Sequence, residues 1–489
     1  MKLFVDIYTV LTVKKRVYDT LVLFYGVRVM SKRQNLKTIL MSGACSLFLF
    51  SGTNVRAETL EEALAYTYVA NPALTAQRSY TRSVYEKIIQ NRSGYLPVLS
   101  AGAQAGYAYN DVDTGEILTT YETDSKPYGF NVSAVQPIFS GFSTVASVKT
   151  AESLFKTEML NLRSAEQGVL LDAVSAYTAV IRDTAVLKLN QNNEAVLARQ
   201  LEYTRDKFRV GELTKTDVAQ AEARYAGAIA ARINAEGELK VSYASYEKTI
   251  GKVPESIYEP EIPTSVLPQT LESALELAQN NPALLAAQQN ERRAQSALDV
   301  AKSGHYPNLD LVAQYEDGHA DDLKEKEASV MLVLNVPLYQ GGNVAAKVRE
   351  SKYLAGQARL NVDTVRRDIV RQTTQAWENY ASASASLSSL EEQVRAAALA
   401  LEGVKYEEEA GTRTILDVLN AEQELLDAKV EVVSAKKKQI EASYALLAAT
   451  GKMTPKDLGL DLSKYQKRSK TTPQENKIER AQEKNNKVN

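Results

Sequence analysis

Side chains able to do chemistry are scarce in this chain, and their spacing points to charge and hydrogen bonding at two turns. One cysteine, Cys45, and two histidines, His305 and His319, are the whole stock of soft ligands and imidazoles. They leave no His/Cys metal cluster and no Cys-His or Ser-His-Asp set for nucleophilic catalysis. An enzyme built on carboxylates alone stays open, but no metal or cofactor is expected. The pattern that recurs is Thr214-Lys215-Thr216-Asp217 and Thr414-Ile415-Leu416-Asp417, each just after a glycine, Gly211 and Gly411. Threonine followed three residues later by aspartate fits a capping box, in which hydroxyl and carboxylate satisfy free N–H groups at a helix start. That role does not exclude a second one for the same carboxylates. Arg413 stands between Gly411 and Asp417, and its plainest reading is a solvated turn residue contributing little.

The elements around these turns come in two copies. Thr59-Leu60-Glu61 returns as Thr270-Leu271-Glu272, and Asn71-Pro72-Ala73-Leu74, Gly94 and Pro97 return as Asn281-Pro282-Ala283-Leu284, Gly304 and Pro307, the last three at a shift of 210 residues. From Pro137 onward the shift is 200: Pro137, Gly211, Asp217, Glu222 and Gly251 return as Pro337, Gly411, Asp417, Glu422 and Gly451. One loop is therefore ten residues shorter in the second copy, and the fold is a duplicated unit. Residues 58–251 form the first repeat, 252–269 a linker, 270–460 the second repeat and 461–489 a basic, disordered tail.

With 58 basic and 60 acidic residues the chain presents no polycationic character, so nucleic acid is not an expected partner. From Met30 the sequence reads as an export signal. Lys32, Arg33 and Lys37 precede the apolar run Thr38 to Phe50, and Val55-Arg56-Ala57 offers a cleavage site that makes Glu58 the first mature residue. The run is short of the roughly 20 residues of a spanning helix. Cys45 belongs to it and not to a lipobox, because Ser42 stands where leucine is wanted. Residues 1–29 precede a complete signal and read as an upstream extension.

No later stretch is apolar for long enough to be a membrane helix, so any membrane crossing falls to strands. Each repeat has two candidates, within about 97–137 and 307–338. Leu99, Ala101, Ala103, Ala105, Tyr107 and Tyr109 alternate with polar or small residues, as do Tyr128, Phe130, Val132 and Ala134 on the return. Leu309, Leu311, Ala313 and Tyr315, then Val330, Leu332, Leu334 and Val336, do the same in the second copy; period two alone also fits a soluble hairpin. The rest is helical. Proline-free stretches at 143–210 and 343–410 are rich in strong helix formers, and each would be about 100 Å long at 1.5 Å per residue. Shorter helices at 72–93 and 214–249, then 282–303 and 414–450, match that length when stacked end to end. Four strands cannot close a barrel, and an open edge in lipid leaves backbone groups unpaired, so the chain must oligomerise.

These residues together resemble the TolC family of outer-membrane efflux and export ducts. The resemblance rests on the doubled T-L-E-x-A-L…N-P-A-L openings, the G-Y-L-P and G-H-Y-P helix ends, the Q-P-I-F-S-G and V-P-L-Y-Q-G-G strand exits, and A-G-T-R-T-I-L-D-V-L-N-A-E at 410–422. It covers residues 58 to about 460 and implies a mainly α fold with a β-barrel portion. The implied assembly is a homotrimer with a twelve-stranded barrel in outer-membrane lipid and a twelve-helix tunnel in the periplasm. Its implied partners are a periplasmic adaptor and an inner-membrane pump of RND or ABC type, with cargo either drugs or secreted proteins. The duct itself is a passive, gated conduit and not a catalyst. Position by position, Arg413 looks like the arginine that ties one helix pair to its neighbour, with Thr216 and Asp217 as its partners. Asp417 looks like the constriction carboxylate, whose pKa mutual repulsion would raise. This sequence departs at Asn420, where a second aspartate can stand, and at Glu408, where a tyrosine is common. The turn residues Gly211, Glu212, Leu213, Gly411, Thr412 and Ile415 would face the adaptor, with Leu213 and Ile415 as an exposed apolar tip. The competing reading is a periplasmic coiled-coil adaptor or spacer, which would carry one helical hairpin between compact β domains that this sequence lacks.

Overall fold

The protein is seen here as a computed structural model that describes residues 58–113, 120–254, 256–320 and 323–466. The export signal, Ala57 and the tail past residue 466 lie outside the described residues. The first repeat contains α1 (Leu60–Ala70), α2 (Pro72–Arg92), β1 (Val98–Ala105), β2 (Ala108–Asp113), β3 (Thr120–Ser125), β4 (Tyr128–Ser140), α3 (Ser143–Arg209) and α4 (Lys215–Ile250). The second contains α5 (Leu271–Ala278), α6 (Pro282–Ser303), β5 (Asn308–Ala320), β6 (Leu323–Asn335), α7 (Asn343–Glu409) and α8 (Ile415–Ala449). α3 and α7 have 67 residues each, or about 100 Å of helix. A last helical turn, Ser463–Gln466, differs from the expected disorder: Lys464 reaches Glu62, and the Tyr465 ring meets Tyr66 edge-on at 5.6 Å.

End-to-end stacking of the short helices depends on the asparagine of Asn-Pro-Ala-Leu. Asn71 Oδ1 accepts the Ala73 N–H at 2.9 Å, which caps α2, while its Nδ2 donates to the Thr249 carbonyl in the last turn of α4 at 3.1 Å. Asn281 repeats this, accepting from Ala283 N at 2.9 Å and donating to the Ala449 carbonyl at 2.9 Å. One amide thus satisfies an orphan donor at one helix start and an orphan acceptor at another helix end. Pro72 and Pro282 occupy the first helical position, where no N–H is needed. Gly251 and Gly451 leave α4 and α8 with φ of +95° and +74°, a left-handed turn that suits glycine. Each pair forms a split helix lying along its long partner, α3 or α7.

The main sheet is antiparallel in the order β1-β4-β5-β6, with β2 and β3 pairing as a separate ribbon. β4 pairs with β5, so the two hairpins make one four-stranded sheet and leave β1 and β6 as unpaired edges. A bulge between Pro137 and Phe139 accommodates the proline and brings Phe139 opposite Leu309. Away from the sheet, the largest core lies midway along the helices. Leu60 and Leu64 pack there with Leu170, Val174 and Tyr177 of α3, Tyr246 and Ile250 of α4, Tyr444 and Leu447 of α8, and Met453. Ile257, Ile262 and Val266 of the linker cover this core, and Glu58 is pinned to it. Its N–H donates to Ser256 O at 2.8 Å, its carbonyl accepts from Tyr177 Oη at 2.9 Å, and its carboxylate meets Lys252 at 2.8 Å.

Candidate functional site

The two helix turns farthest from the sheet are built alike. Gly211 and Gly411 have φ of +83° and +78°, and the backbone N–H groups of Glu212 and Thr412 return to the carbonyls of Lys207 and Glu407 at 2.9 and 2.8 Å. This Schellman-type closure ends α3 and α7. α4 and α8 then start with full capping boxes. Asp217 Oδ2 accepts from Thr214 N at 2.8 Å and Asp417 Oδ2 from Thr414 N at 2.9 Å, while each threonine hydroxyl accepts the aspartate N–H at 3.3 Å. Because Asp417 accepts from both the backbone and the hydroxyl of Thr414, its carboxyl is held below the usual carboxylate range. Within one chain the cap stabilises the charged form, and the upward shift expected from mutual repulsion belongs to an assembly of several copies.

Charge is where the turns differ. Lys207 pairs with Glu212 at 2.5 Å in the first, and Glu407 pairs with Arg413 Nε at 2.9 Å in the second, so the sign at the repeat-equivalent positions 207 and 407 is reversed. The Glu407 hydrogen bond raises the Arg413 pKa. Inside the chain Arg413 therefore bonds Glu407, and neither Thr216 nor Asp217. Thr216 is exposed on the first turn of α4. Asn420 accepts from the Arg224 guanidinium at 2.7 Å, linking α8 to α4. Behind the turns Arg205 pairs with Glu222 at 2.7 Å and Lys405 with Glu422 at 3.0 Å, a repeated pair that is exposed in the first copy and buries Glu422 in the second. Glu408 is half-buried, and its carbonyl accepts the Gly411 N–H. One expectation fails: Ile415 is 2 % exposed and cannot be a docking anchor. As the first residue of α8 it turns inward with Val418 and Leu419, leaving Leu416 exposed and Leu213 half-exposed. Glu407, Lys207 and Arg224 were missed from the sequence; only the opposed charges at equivalent repeat positions signal the first two.

At the opposite end, the sheet has unlike faces. Val330, Leu332 and Leu334 on β6 join Phe130 and Val132 on β4 as exposed apolar residues of one face. The other face carries Asn131, Ser133, Gln314, Glu316, Glu325 and Glu327, with exposed Met331 and Val333 nearer the helices, and Ser100 and Ser133 share a 2.6 Å hydrogen bond across it. Aromatic residues gather at both ends of the strands. Phe142 meets Phe139 and Tyr306 edge-on at 5.1 and 6.0 Å near the helices. Tyr128 stacks on His319 at 4.8 Å, and Phe130 lies 5.8 Å from Tyr315, at the far end. From Leu309 to His319 the strand covers about 33 Å, or about 25 Å of height at a tilt near 40°, the height of the apolar band on an outer-membrane barrel. No helix among the described residues is long and apolar enough to cross a membrane, and no cluster of metal-ligating side chains occurs among them.

Comparison with known proteins finds the same arrangement. The profile of a family described as outer membrane efflux protein matches residues 65–252 and 274–452, one segment per repeat. Over 436 residues the chain is 33% identical to the outer membrane efflux protein BepC of Brucella suis biovar 1, covering 87% of this chain and 92% of that protein. It is 29% identical to the outer membrane protein TolC of Vibrio cholerae over 83% of this chain and 93% of that one. The solved outer membrane channel CmeC of Campylobacter jejuni superposes with a TM-score of 0.73 at 15% identity, covering 89% of this chain and 97% of CmeC.

Proposed function

We propose, from the premise that this chain belongs to the outer membrane efflux protein family, that it works as a homotrimer coupled through a periplasmic adaptor to an inner-membrane pump of RND or ABC type. The chain is an outer-membrane channel-tunnel of an efflux or secretion system, a passive conduit and not an enzyme. The observation that carries the assembly is the sheet with two open edges, β1 and β6, while the family resemblance selects three copies. Four strands are half the smallest membrane barrel, and unpaired backbone groups cost several kcal/mol each in lipid. Joining β6 of one copy to β1 of the next removes every edge, and three copies give twelve strands. Exposed Tyr353, Leu360, Leu399 and Tyr406 along α7 supply apolar surface for the same neighbour.

At the turns, Arg413 would exchange its Glu407 contact for Thr216 and Asp217 of an adjacent helix pair in the closed trimer. Asp417, with Asn420 one turn on, would ring the constriction, and half-buried Glu408 takes the place of a tyrosine contact. Gly211, Glu212, Leu213, Gly411 and Thr412 would meet the adaptor. Native mass measurement in detergent, followed by planar-bilayer recording, tests the assembly. A trimer with discrete conductance steps is expected, and a lipid-embedded monomer would refute it.

A further inference from the structure

Strand β6 opens Leu323-Lys324-Glu325-Lys326-Glu327, an alternation of base and acid with the period of a strand. Pairing sets His319 opposite Lys324, Asp317 opposite Lys326 and Tyr128 opposite His319. Lys324 and Lys326 therefore share the face of Val330, Leu332 and Leu334, while Glu325, Glu327 and, directly across from Glu327, Glu316 lie on the other. Since a slip of one residue would turn the carboxylates outward, the register itself sorts the charges.

On the reading of this sheet as part of an outer-membrane barrel, we propose that Lys324, Lys326 and His319 bind the phosphate-bearing headgroup of an anionic lipid in the outer leaflet. The cluster is organised. Asp317, 9 % exposed, holds Lys326 Nζ at 3.0 Å and lies 3.4 Å from His319 Nδ1, and the Tyr128 ring stacks on the imidazole within 9° of parallel. Among the described residues Lys326 pairs with Asp317 alone, and Lys324 makes no ion pair. Lysines two apart on one face stand about 7 Å apart at the backbone, within reach of one phosphate for long side chains. Their height, about 25 Å above the helix end of the strands, is where the apolar band gives way to headgroups. Continuity with the apolar face selects a lipid over free phosphate, because acyl chains would cover Val330 and Leu332 while the headgroup meets the lysines.

The test compares wild type with the double variant Lys324→Gln/Lys326→Gln, using titration with vesicles of phosphatidylglycerol, of lipid A mixed into phosphatidylcholine, and of phosphatidylcholine alone, with inorganic phosphate as a separate arm. Wild type should prefer both anionic vesicles over phosphatidylcholine, and the variant should lose roughly twenty-five-fold in affinity for them, about fivefold per lysine near an anionic surface. Inorganic phosphate should neither bind measurably nor displace lipid. Equal binding by both proteins, equal binding to phosphatidylcholine, or tight binding of free phosphate would overturn the proposal. Conductance in neutral bilayers separates the two readings. Channels from the variant with unchanged lipid preference sink only the headgroup site, whereas a wild type that forms no channels sinks the duct.

Discussion

Asn281→Ala isolates the splice that lets two short helices act as one. The side chain is buried and makes one hydrogen bond to each helix, to Ala283 N and to Ala449 O, both at 2.9 Å. Removing an N-cap asparagine costs about 1 kcal/mol, and leaving the Ala449 carbonyl without its donor in a largely buried joint costs about 1 kcal/mol more. The sum of about 2 kcal/mol corresponds to roughly thirtyfold more frequent local opening. Hydrogen exchange reads this directly, through the amide of Ala283 on one side and those of Gly451 and Lys452, which close the end of α8, on the other. Asn281→Asp keeps the acceptor for Ala283 but turns a second oxygen toward the Ala449 carbonyl, so it should preserve protection at Ala283 and lose it at Lys452. Asn71 in the first copy serves as an internal control, with Ala73 unchanged. If Lys452 exchanges equally in wild type and Asn281→Ala, or if the aspartate variant protects both sides, the amide is not the joint.

Arg413→Ala removes the cation that pairs with Glu407 and that the proposed closed mouth shares with Asp217; single-channel conductance should rise, and an unchanged value would leave Arg413 as a turn residue. Asp417→Asn keeps an oxygen acceptor for Thr414 N but removes the ring charge, so reversal potentials in a salt gradient should show lower cation selectivity with secondary structure intact. Alkaline stability should fall in a defined direction. Burial pushes the Tyr68 phenol up to about 12 and also raises Tyr177, Tyr246 and Tyr444. The unfolded chain therefore releases these protons first, from about pH 10. The stability they contribute is full below that pH and is lost as pH rises toward the folded values. The denaturant midpoint should therefore decline from about pH 10 to about pH 12, and a midpoint that holds or rises over that range would contradict the sign.

Much of this architecture is local and hence legible in the chain. Proline-free runs set α3 and α7, positive-φ glycines at 211 and 411 end them, and Thr-x-x-Asp restarts α4 and α8, because each signal acts within a few residues. Period-two alternation gives the four strands of the main sheet, each assignment made twice by duplication, but not the β2–β3 ribbon, which only the first copy has where two strands per repeat were expected. The turn chemistry was only half visible. The capping aspartates follow from spacing, and the Glu407–Arg413 pair, six residues apart, is signalled only by the charge reversal between positions 207 and 407, but Arg224 as the Asn420 partner depends on how α4 and α8 pack, which no local pattern encodes. Ile415 shows the limit most plainly: an apolar residue beside a turn reads as an exposed tip, and the rotation of α8 about its axis buries it.

By itself the sequence determined the duplicated unit, the helix lengths, the strand faces and the need for a partner at the sheet edges, all consequences of backbone geometry and hydrogen bonding that repeat along the chain. Only the tertiary structure decided which side chains meet across elements. It was packing that brought Asn281 to the end of α8, closed the Arg224–Asn420 link between α4 and α8, and set the register that pairs Lys326 with Asp317 and Lys324 with His319. Those contacts join residues up to nearly two hundred positions apart, and distance of that kind is fixed by the packing of whole elements against one another.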